Sequence, residues 1–573
     1  MEPDIWDMCS QKDFDVMGQR KARTGGQILV DALKTHGSDK VFGVPGESYL
    51  AVLDALHDTS IDYYICRQEG GAAMMADAYG KLMGKPGICM VTRGPGATNA
   101  SAGVHIAFQD STPMILFIGQ VARDMTDREA FQEIDYRRMF GEMSKWVAQI
   151  DDPARIPEYI NRAFHVATSG RPGPVVLALP EDMLTELAEV DDVGPYSQIN
   201  THPGMDEMAE LRGLLAAAKN PMMIVGGGGW SAETTKNIGQ FASDNQIPTG
   251  ASFRCQDYID NGLDCYVGHV GIGINPKLAD RVKTADLVIV AGARLGEMTS
   301  NGYSLFDIPK PRQKLVHIHS DASELNRVYA TTLAIHADPR SFAVAAKEMT
   351  PVDPSVWQNS LRQGRQDYLD HTTAVTSAGD VQMAEIVQWM EAELPEDTIY
   401  CNGAGNYTVW LHRFHQYRHY RTCLAPTSGS MGYGPPAAIA AKAIYPNRCV
   451  IAMAGDGCYM MHGQELATAI QYDLPVIFIV VNNSMFGTIR MHQEREYPER
   501  ISGTYLKNPD FAALARAYGG HGETVVNTAE FAPAFARAQK SGVASIIEIK
   551  LDPEALTPNA TLSEIRKAAL AQV

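Results

Sequence analysis

An aspartate between two glycines, Gly455-Asp456-Gly457, is followed one strand–helix–strand unit later by paired asparagines, Asn482-Asn483. The apolar run 449–454 ahead of the first group and the β-branched run 476–481 ahead of the second both read as buried strands. Between them Glu465, Leu466, Ala469 and Ile470 sit in a helix-like stretch. Two parallel strands joined by a helix bring Asp456 and Asn483 to one carboxyl edge of a sheet, where open α/β folds bind ligands. One carboxylate and one amide oxygen are hard donors of the kind Mg²⁺ accepts while it keeps diphosphate oxygens in its remaining positions. The spacing therefore predicts a magnesium-held diphosphate. The flanking glycines predict a tight turn that a Cβ would disfavour. A lone Gly-Asp-Gly is an ordinary strand–turn–helix; the asparagine pair is what favours the metal.

A second group lies far upstream. Arg67-Gln68-Glu69-Gly70-Gly71 follows the short strand IDYYIC and leads into a helix rich in Ala and Met. Such neighbours predict a dry, close-packed place for Glu69. A carboxyl buried without a cationic partner has a raised pKa, which suits proton transfer near neutral pH. The stretch 93–99, RGPGATN, reads as a tight turn that opens a helix. In 428–444, SGSMGYGPPAAIAAKAI, a glycine-rich turn is followed by prolines in the first turn of a helix, where their missing N–H costs nothing. By itself Met431 in that turn reads as core packing.

The elements that position these groups fall into three blocks, 24–192, 205–349 and 378–553, between an N-terminal extension 1–23 and a C-terminal tail 554–573. Strand-like runs such as KVFGV, MILFIG, ADLVIVAG and ASIIEIKL alternate with helical stretches, which implies an α/β fold of three doubly wound parallel-sheet domains. Soft linkers rich in Pro, Ser and Gly separate the blocks, and the first and third look like copies of one architecture. Over 573 residues, 49 Lys and Arg against 67 Asp and Glu leave a net charge of −18, which argues against nucleic acid and anionic membranes as partners. The nine cysteines form no Cys-x-x-Cys pair or ladder, as expected of reduced thiols in a cytoplasm. The polar, mixed-charge start is not a signal peptide, and no run is long enough to span a membrane.

The Gly-Asp-Gly and Asn-Asn stretch resembles the thiamine-diphosphate motif. The order of 90–120, with GKPGIC before it and AFQE after it, resembles acetohydroxyacid (acetolactate) synthase, and the resemblance runs from Thr24 to about Leu551. It implies a pyrimidine-binding first block, a central block and a diphosphate-binding third block. By the same resemblance Asp456, the Asn483 side chain and the Met485 carbonyl hold Mg²⁺. Gly455, Gly457 and Cys458 border the diphosphate, the last two through backbone N–H groups, and Gly405, Asn406 and Tyr407 close over it. Glu69 corresponds to the glutamate that drives the cofactor's pyrimidine ring to the imino tautomer, Gly429 supplies a carbonyl to its 4′-amino group, and Met431 is the apolar wedge that bends it. Phe131 and Gln132 lie near the reacting carbon. One cofactor is shared between the first block of one subunit and the third block of another, so a homodimer is the minimal active unit and a homotetramer is compatible. The sequence names no regulatory subunit. The implied activity is decarboxylation of a small 2-oxo acid such as pyruvate, with transfer of the acyl carbanion to a carbonyl acceptor. The alternatives are a lyase of 2-hydroxyacyl thioesters, another carboligase, or a catalytically silent flavin-binding homologue.

Departures from that pattern bear on the substrate. His492 stands where those synthases carry a tryptophan, and Met298 where they carry an arginine for the acceptor carboxylate. Glu47 replaces a glycine facing the substrate cavity, and Arg93 a small residue. Central blocks of this family often bind FAD without using its redox chemistry. Gly226 to Gly229 could cradle a phosphate, but Gly296-Glu297 and His319 replace three aspartates, so FAD is left open. His412, His415 and His419 lack ligand spacing and read as a solvated loop.

Overall fold

The computed structural model of the protein describes residues 21–572; residues 1–20 of the expected N-terminal extension lie outside the described residues. The end of that extension is tied down rather than loose. Arg23–Thr24 pairs antiparallel with Leu187–Ala188, and the Arg23 guanidinium binds Asp31 and Asp192. Thr24 then caps the helix Gly25–Thr35 in a capping box with Gln27, satisfying N–H groups that a helix start leaves open.

Three six-stranded sheets follow, every pairing within them parallel. The first is ordered Asp62–Ile65, Lys40–Gly43, Gly87–Val91, Met114–Gln120, Pro174–Pro180, Trp146–Gln149. The third is ordered Cys423–Leu424, Ile399–Asn402, Val450–Gly455, Ile477–Asn482, Ser545–Lys550, His521–Val525, which is the same permutation. The central sheet differs. Its order is Tyr266–Val270, Thr249–Ser252, Pro221–Val225, Leu287–Ala291, Lys314–His319, Leu333–His336, the arrangement of dinucleotide-binding folds. Fully buried central strands such as Met114–Gln120 explain the continuous apolar runs, because helices cover both faces. No described helix is long and apolar enough to cross a membrane. The eight described cysteines are free thiols, all buried except the half-buried Cys449.

The first and third units share one core. Helix Glu69–Met83 is buried nearly all round between Pro95–Asp110 and Gly434–Ile444. Asp77 accepts a 2.7 Å hydrogen bond from the Tyr433 hydroxyl, and Lys81 joins Asp77, Asp110 and Tyr433 across the seam. Glu465 completes the join. Its buried carboxylate accepts from the backbone N–H of Arg67 and Gln68 at 3.0 Å, and burial pushes its pKa up.

The C-terminal helix Leu562–Leu570 docks on Gly487–Glu496 through Glu494, whose side chain is 1% exposed. Arg566 reaches it at 2.7 and 2.8 Å and Arg490 at 2.8 and 3.0 Å. The Arg566 hydrogen bonds hold the Glu494 carboxyl down to about 2, against the opposing effect of burial, from an ordinary 4.5. A depressed acid contributes stability above its unfolded pKa and loses it as pH falls through the folded value, here between 4.5 and about 2. Glu494→Gln should therefore cost roughly 2–3 kcal/mol at pH 7, with the gap to wild type narrowing steadily below pH 4.5. Urea unfolding at pH 7 and pH 3 measures both; an equal cost at the two values refutes the ion-pair account.

Candidate active site

Parallel pairing of Val450–Gly455 with Ile477–Asn482 sets Gly455 opposite Val481, so Asp456 and Asn482-Asn483 leave adjacent strands at one carboxyl edge. Asp456 is 2% exposed. Its Oδ1 accepts from the Gly457 N–H at 2.9 Å and its Oδ2 from Asn508 Nδ2 at 2.7 Å. The backbone N–H groups of Ser484 and Met485 also face it. Burial pushes this carboxyl up from its ordinary range, and only amides oppose the shift. Asn482 points inward, donating to Glu548 at 2.7 Å and accepting from Ser484 N–H and Asn508 Nδ2. Asn483 is half-buried, and its Oδ1 takes the Met485 N–H at 3.3 Å.

The site thus gathers one desolvated carboxylate, amide oxygens and the 483–485 loop. Among the described residues no three His, Cys, Asp or Glu side chains form a metal cluster. A single carboxylate with neutral oxygen donors is instead the set a hard divalent cation takes when phosphate supplies the remaining ligands.

The glycines act differently from the expectation. Gly455 (φ −68°) is extended and Gly457 lies in the helix Asp456–His462, so neither needs left-handed backbone. They are needed for close approach: a Cβ on Gly457 would lie 2.5 Å from the Phe486 ring, and one on Gly455 3.0 Å from Tyr407. Tyr407 is drawn inward, its hydroxyl accepting from Gly403 N–H at 3.0 Å and touching the Cys458 thiol at 3.2 Å. Cys458 in turn accepts from Gly432 N–H at 3.2 Å, tying the turn that carries Gly429 (φ 68°) and half-buried Met431 to the helix after Asp456. Asn406 accepts from Thr488 at 2.9 Å and, with Gly405 and Gly429, lines a large cavity.

Glu69 opens the helix Glu69–Met83, whose first N–H groups are capped by the Gln68 side chain. Its Oε2 accepts from Asn99 at 2.9 Å. The expected dry surroundings are not provided by one chain, in which Glu69 is half-exposed and its bond to Asn99 open to solvent. The Ala- and Met-rich helix behind Glu69 is buried, but the helix end is not, and the sequence cannot distinguish the two. Phe131 is 71% exposed, while its carbonyl takes the Arg93 Nε at 3.2 Å. Gln132 (φ 66°) packs against Gly94. Arg93 pairs with Glu181 at 2.9 Å and faces Glu47 at 3.5 Å. Glu69, Glu47, Arg93 and Glu181 all follow carboxyl ends of strands in the first sheet.

Two further findings escaped the sequence. His412 and His415 are buried, on and just past the helix Tyr407–Phe414, not in a solvated loop; His412 bonds Gln256 and Asn402. Asn508 bridges Asp456 and Asn482, yet nothing in its loop sequence marks it out. If Asp456 holds a divalent cation, Asn508→Ala should weaken its retention by about 10- to 100-fold, as loss of partners behind metal ligands does, with little loss of fold. Calorimetric titration with Mg²⁺ in the presence of inorganic pyrophosphate checks this, and unchanged affinity removes Asn508 from the site.

The cavity, of about 670 Å³, lies where the carboxyl edge of the central sheet meets the other two units. Gly227 (φ 81°) and Gly229 (φ 80°) turn the chain there. A Cβ on Gly227 would strike the Gly292 carbonyl at 1.9 Å, and one on Gly228 the Ser111 carbonyl at 2.4 Å. Neither Glu69 nor Asp456 lines this cavity.

Comparison with known proteins matches these units one by one. Residues 23–139 match the thiamine pyrophosphate enzyme N-terminal TPP binding domain, 208–346 the central domain, and 403–549 the C-terminal TPP binding domain. The acetolactate synthase isozyme 2 large subunit of Escherichia coli is 30% identical over 534 residues, covering 92% of this chain and 95% of that one. The acetolactate synthase large subunit of Corynebacterium glutamicum is 31% identical over 538 residues, covering 90% and 85%. A probable acetolactate synthase large subunit of Methanocaldococcus jannaschii is 29% identical over 555 residues, covering 93% of each. With its three sheets matched in order and its carboxylate–amide site at the expected strand ends, the chain belongs to the thiamine pyrophosphate enzymes, in their acetolactate synthase-like group.

Proposed function

We propose that this protein decarboxylates a small 2-oxo acid of the pyruvate type and transfers the acyl unit to a carbonyl acceptor. The observation that carries the reading is the buried Asp456 carboxylate, met only by amides, beside the Asn482-Asn483 strand end. Asp456, the Asn483 side chain and the Met485 carbonyl would hold Mg²⁺, and Gly455, Gly457 and Cys458 would border the diphosphate it carries. When bound, thiamine diphosphate supplies the electron sink that decarboxylation requires. The chain's own residues hold and orient it. Met431 and Gly429 would set the position of its ring, and Gly405, Asn406 and Tyr407 would bound its diphosphate. Glu69, on a half-exposed helix end, would hold a proton at its carboxyl oxygen for exchange with the pyrimidine ring.

The minimal active unit on this reading is a homodimer. Support comes from exposure: Glu69 and Phe131 face outward in one chain, so a second copy's third unit can supply the missing wall. The glycine turn Gly227 to Gly229 at the first strand of a dinucleotide-type sheet, which borders one part of the central cavity, supports a nucleotide such as FAD against that turn.

The test is CO₂ release and product analysis over pyruvate, 2-oxobutyrate, glyoxylate and phenylglyoxylate, with thiamine diphosphate and Mg²⁺ added. Release dependent on both additions, with a condensed hydroxy-ketone product, is expected. Absence of CO₂ from every acid would overturn the proposal.

A further inference from the structure

Arg254 follows the strand Thr249–Ser252 and lines the large cavity. It is 8% exposed and held at φ 59°, a left-handed conformation uncommon for a long side chain. Both of its hydrogen bonds leave from Nη1, to the carbonyls of Gly403 at 2.6 Å and Pro426 at 3.1 Å. Its Nε is buried without a partner, and among the described residues no carboxylate forms an ion pair with it. Asp110, the acid that acts on it from a distance, is taken up by Lys81 and Thr427. Arg294, on the same cavity, has Glu324 at 3.6 Å. Arg340, Arg413 and Arg421 also line the cavity but are only half-buried. Arg254 is the most deeply buried of these arginines, stacks on the Phe253 ring at 4.9 Å and pairs with no carboxylate among the described residues, an arrangement that destabilises a fold unless an anion arrives.

The two carbonyls that hold Arg254 place it. Gly403 follows the strand Ile399–Asn402 and Pro426 follows Cys423–Leu424, both at the carboxyl edge of the third sheet, the edge that also carries Asp456. Ser428, Gly429, Gly405 and Asn406 line the cavity beside it. A guanidinium fixed through Nη1, with its Nε enclosed, keeps Nη2 for an oxygen of an arriving anion.

We propose that Arg254 recognises the carboxylate of the oxo-acid substrate through the free side of its guanidinium. The inference rests on the proposed decarboxylase reading and assigns its substrate-binding cation. The test uses the full-length protein with thiamine diphosphate and Mg²⁺, and whichever acid of the four gives the fastest CO₂ release. Arg254→Met should raise KM for that acid at least tenfold while kcat changes less than threefold, and Arg254→Lys, which keeps the charge, should recover part of the loss. Melting curves of both variants confirm that they fold, and the lysine variant carries the test if the methionine variant does not.

An unchanged KM in both variants overturns the assignment. So does an unchanged KM accompanied by lost affinity for ADP or inorganic pyrophosphate, which gives Arg254 to a phosphate instead. No CO₂ from any acid overturns the parent reading and this one together; CO₂ release with a KM indifferent to Arg254 overturns this one alone.

Discussion

Asp456→Ala is expected to abolish magnesium-dependent retention of thiamine diphosphate, with an affinity loss of at least a hundredfold, or roughly 3 kcal/mol. The carboxylate is the only charged oxygen among the proposed magnesium donors, and amide oxygens alone leave a divalent cation without a counter-charge in a desolvated place. Asp456→Asn separates charge from packing. An amide of equal size can still accept from Gly457 N–H, but its –NH₂ would face Asn508 Nδ2, donor against donor. The asparagine variant should therefore fold, with a melting temperature within a few degrees of wild type, and still fail to retain the cofactor. Calorimetry with and without Mg²⁺ decides the matter. Tight, magnesium-dependent binding by the alanine variant would remove Asp456 from the metal site.

Glu69→Gln should slow turnover by about 10²- to 10⁴-fold, the range expected when a positioned proton donor is removed. Retention of the cofactor should persist, because Glu69 belongs to a different sheet from Asp456 and lines neither its loop nor the cavity. Hydrogen–deuterium exchange at the thiazolium C2, followed by NMR, reads the step directly. Exchange at the wild-type rate contradicts the role. Mixing the two inactive variants tests sharing as well. If Glu69 of one subunit completes the pocket of its partner, random Glu69→Gln/Asp456→Ala dimers should regain about a quarter of wild-type activity. No recovery after demonstrated subunit exchange argues for pockets built within single chains.

Much of the proposed cation site is legible in the chain because its parts are local. Asp456 and Asn483 each follow a continuous apolar strand, and parallel pairing makes those strand ends neighbours. The strands easiest to recognise are the inner ones, buried on both faces. Trp146–Gln149 and His521–Val525 lie at sheet edges, keep partly exposed polar or aromatic residues and give no comparable run; the edge strand Tyr266–Val270 is buried but for half-buried His269, and its Gly and His interrupt the apolar run. Asn508 reaches Asp456 from an irregular loop, and no periodicity records that contact. The half-exposure of Glu69 is not legible for another reason: burial of a helix does not fix the burial of its first residue. The burial of His412 is not legible because a polar ring on a short helix carries no sign of the buried Gln256 and Asn402 that satisfy it.

The Glu465 carboxylate has a consequence for how two pockets behave together. The segment that begins at Asp456 ends at Glu465, and Glu465 grips the main chain immediately ahead of Glu69 in the same subunit. If Asp456 serves one pocket and Glu69 its neighbour, occupancy of the first stiffens a turn that works in the second. Linkage then requires the influence to be reciprocal, so the two halves of a dimer should fill with unequal affinities. Glu465→Gln, which weakens the grip without emptying the space, should bring the two binding steps toward equality.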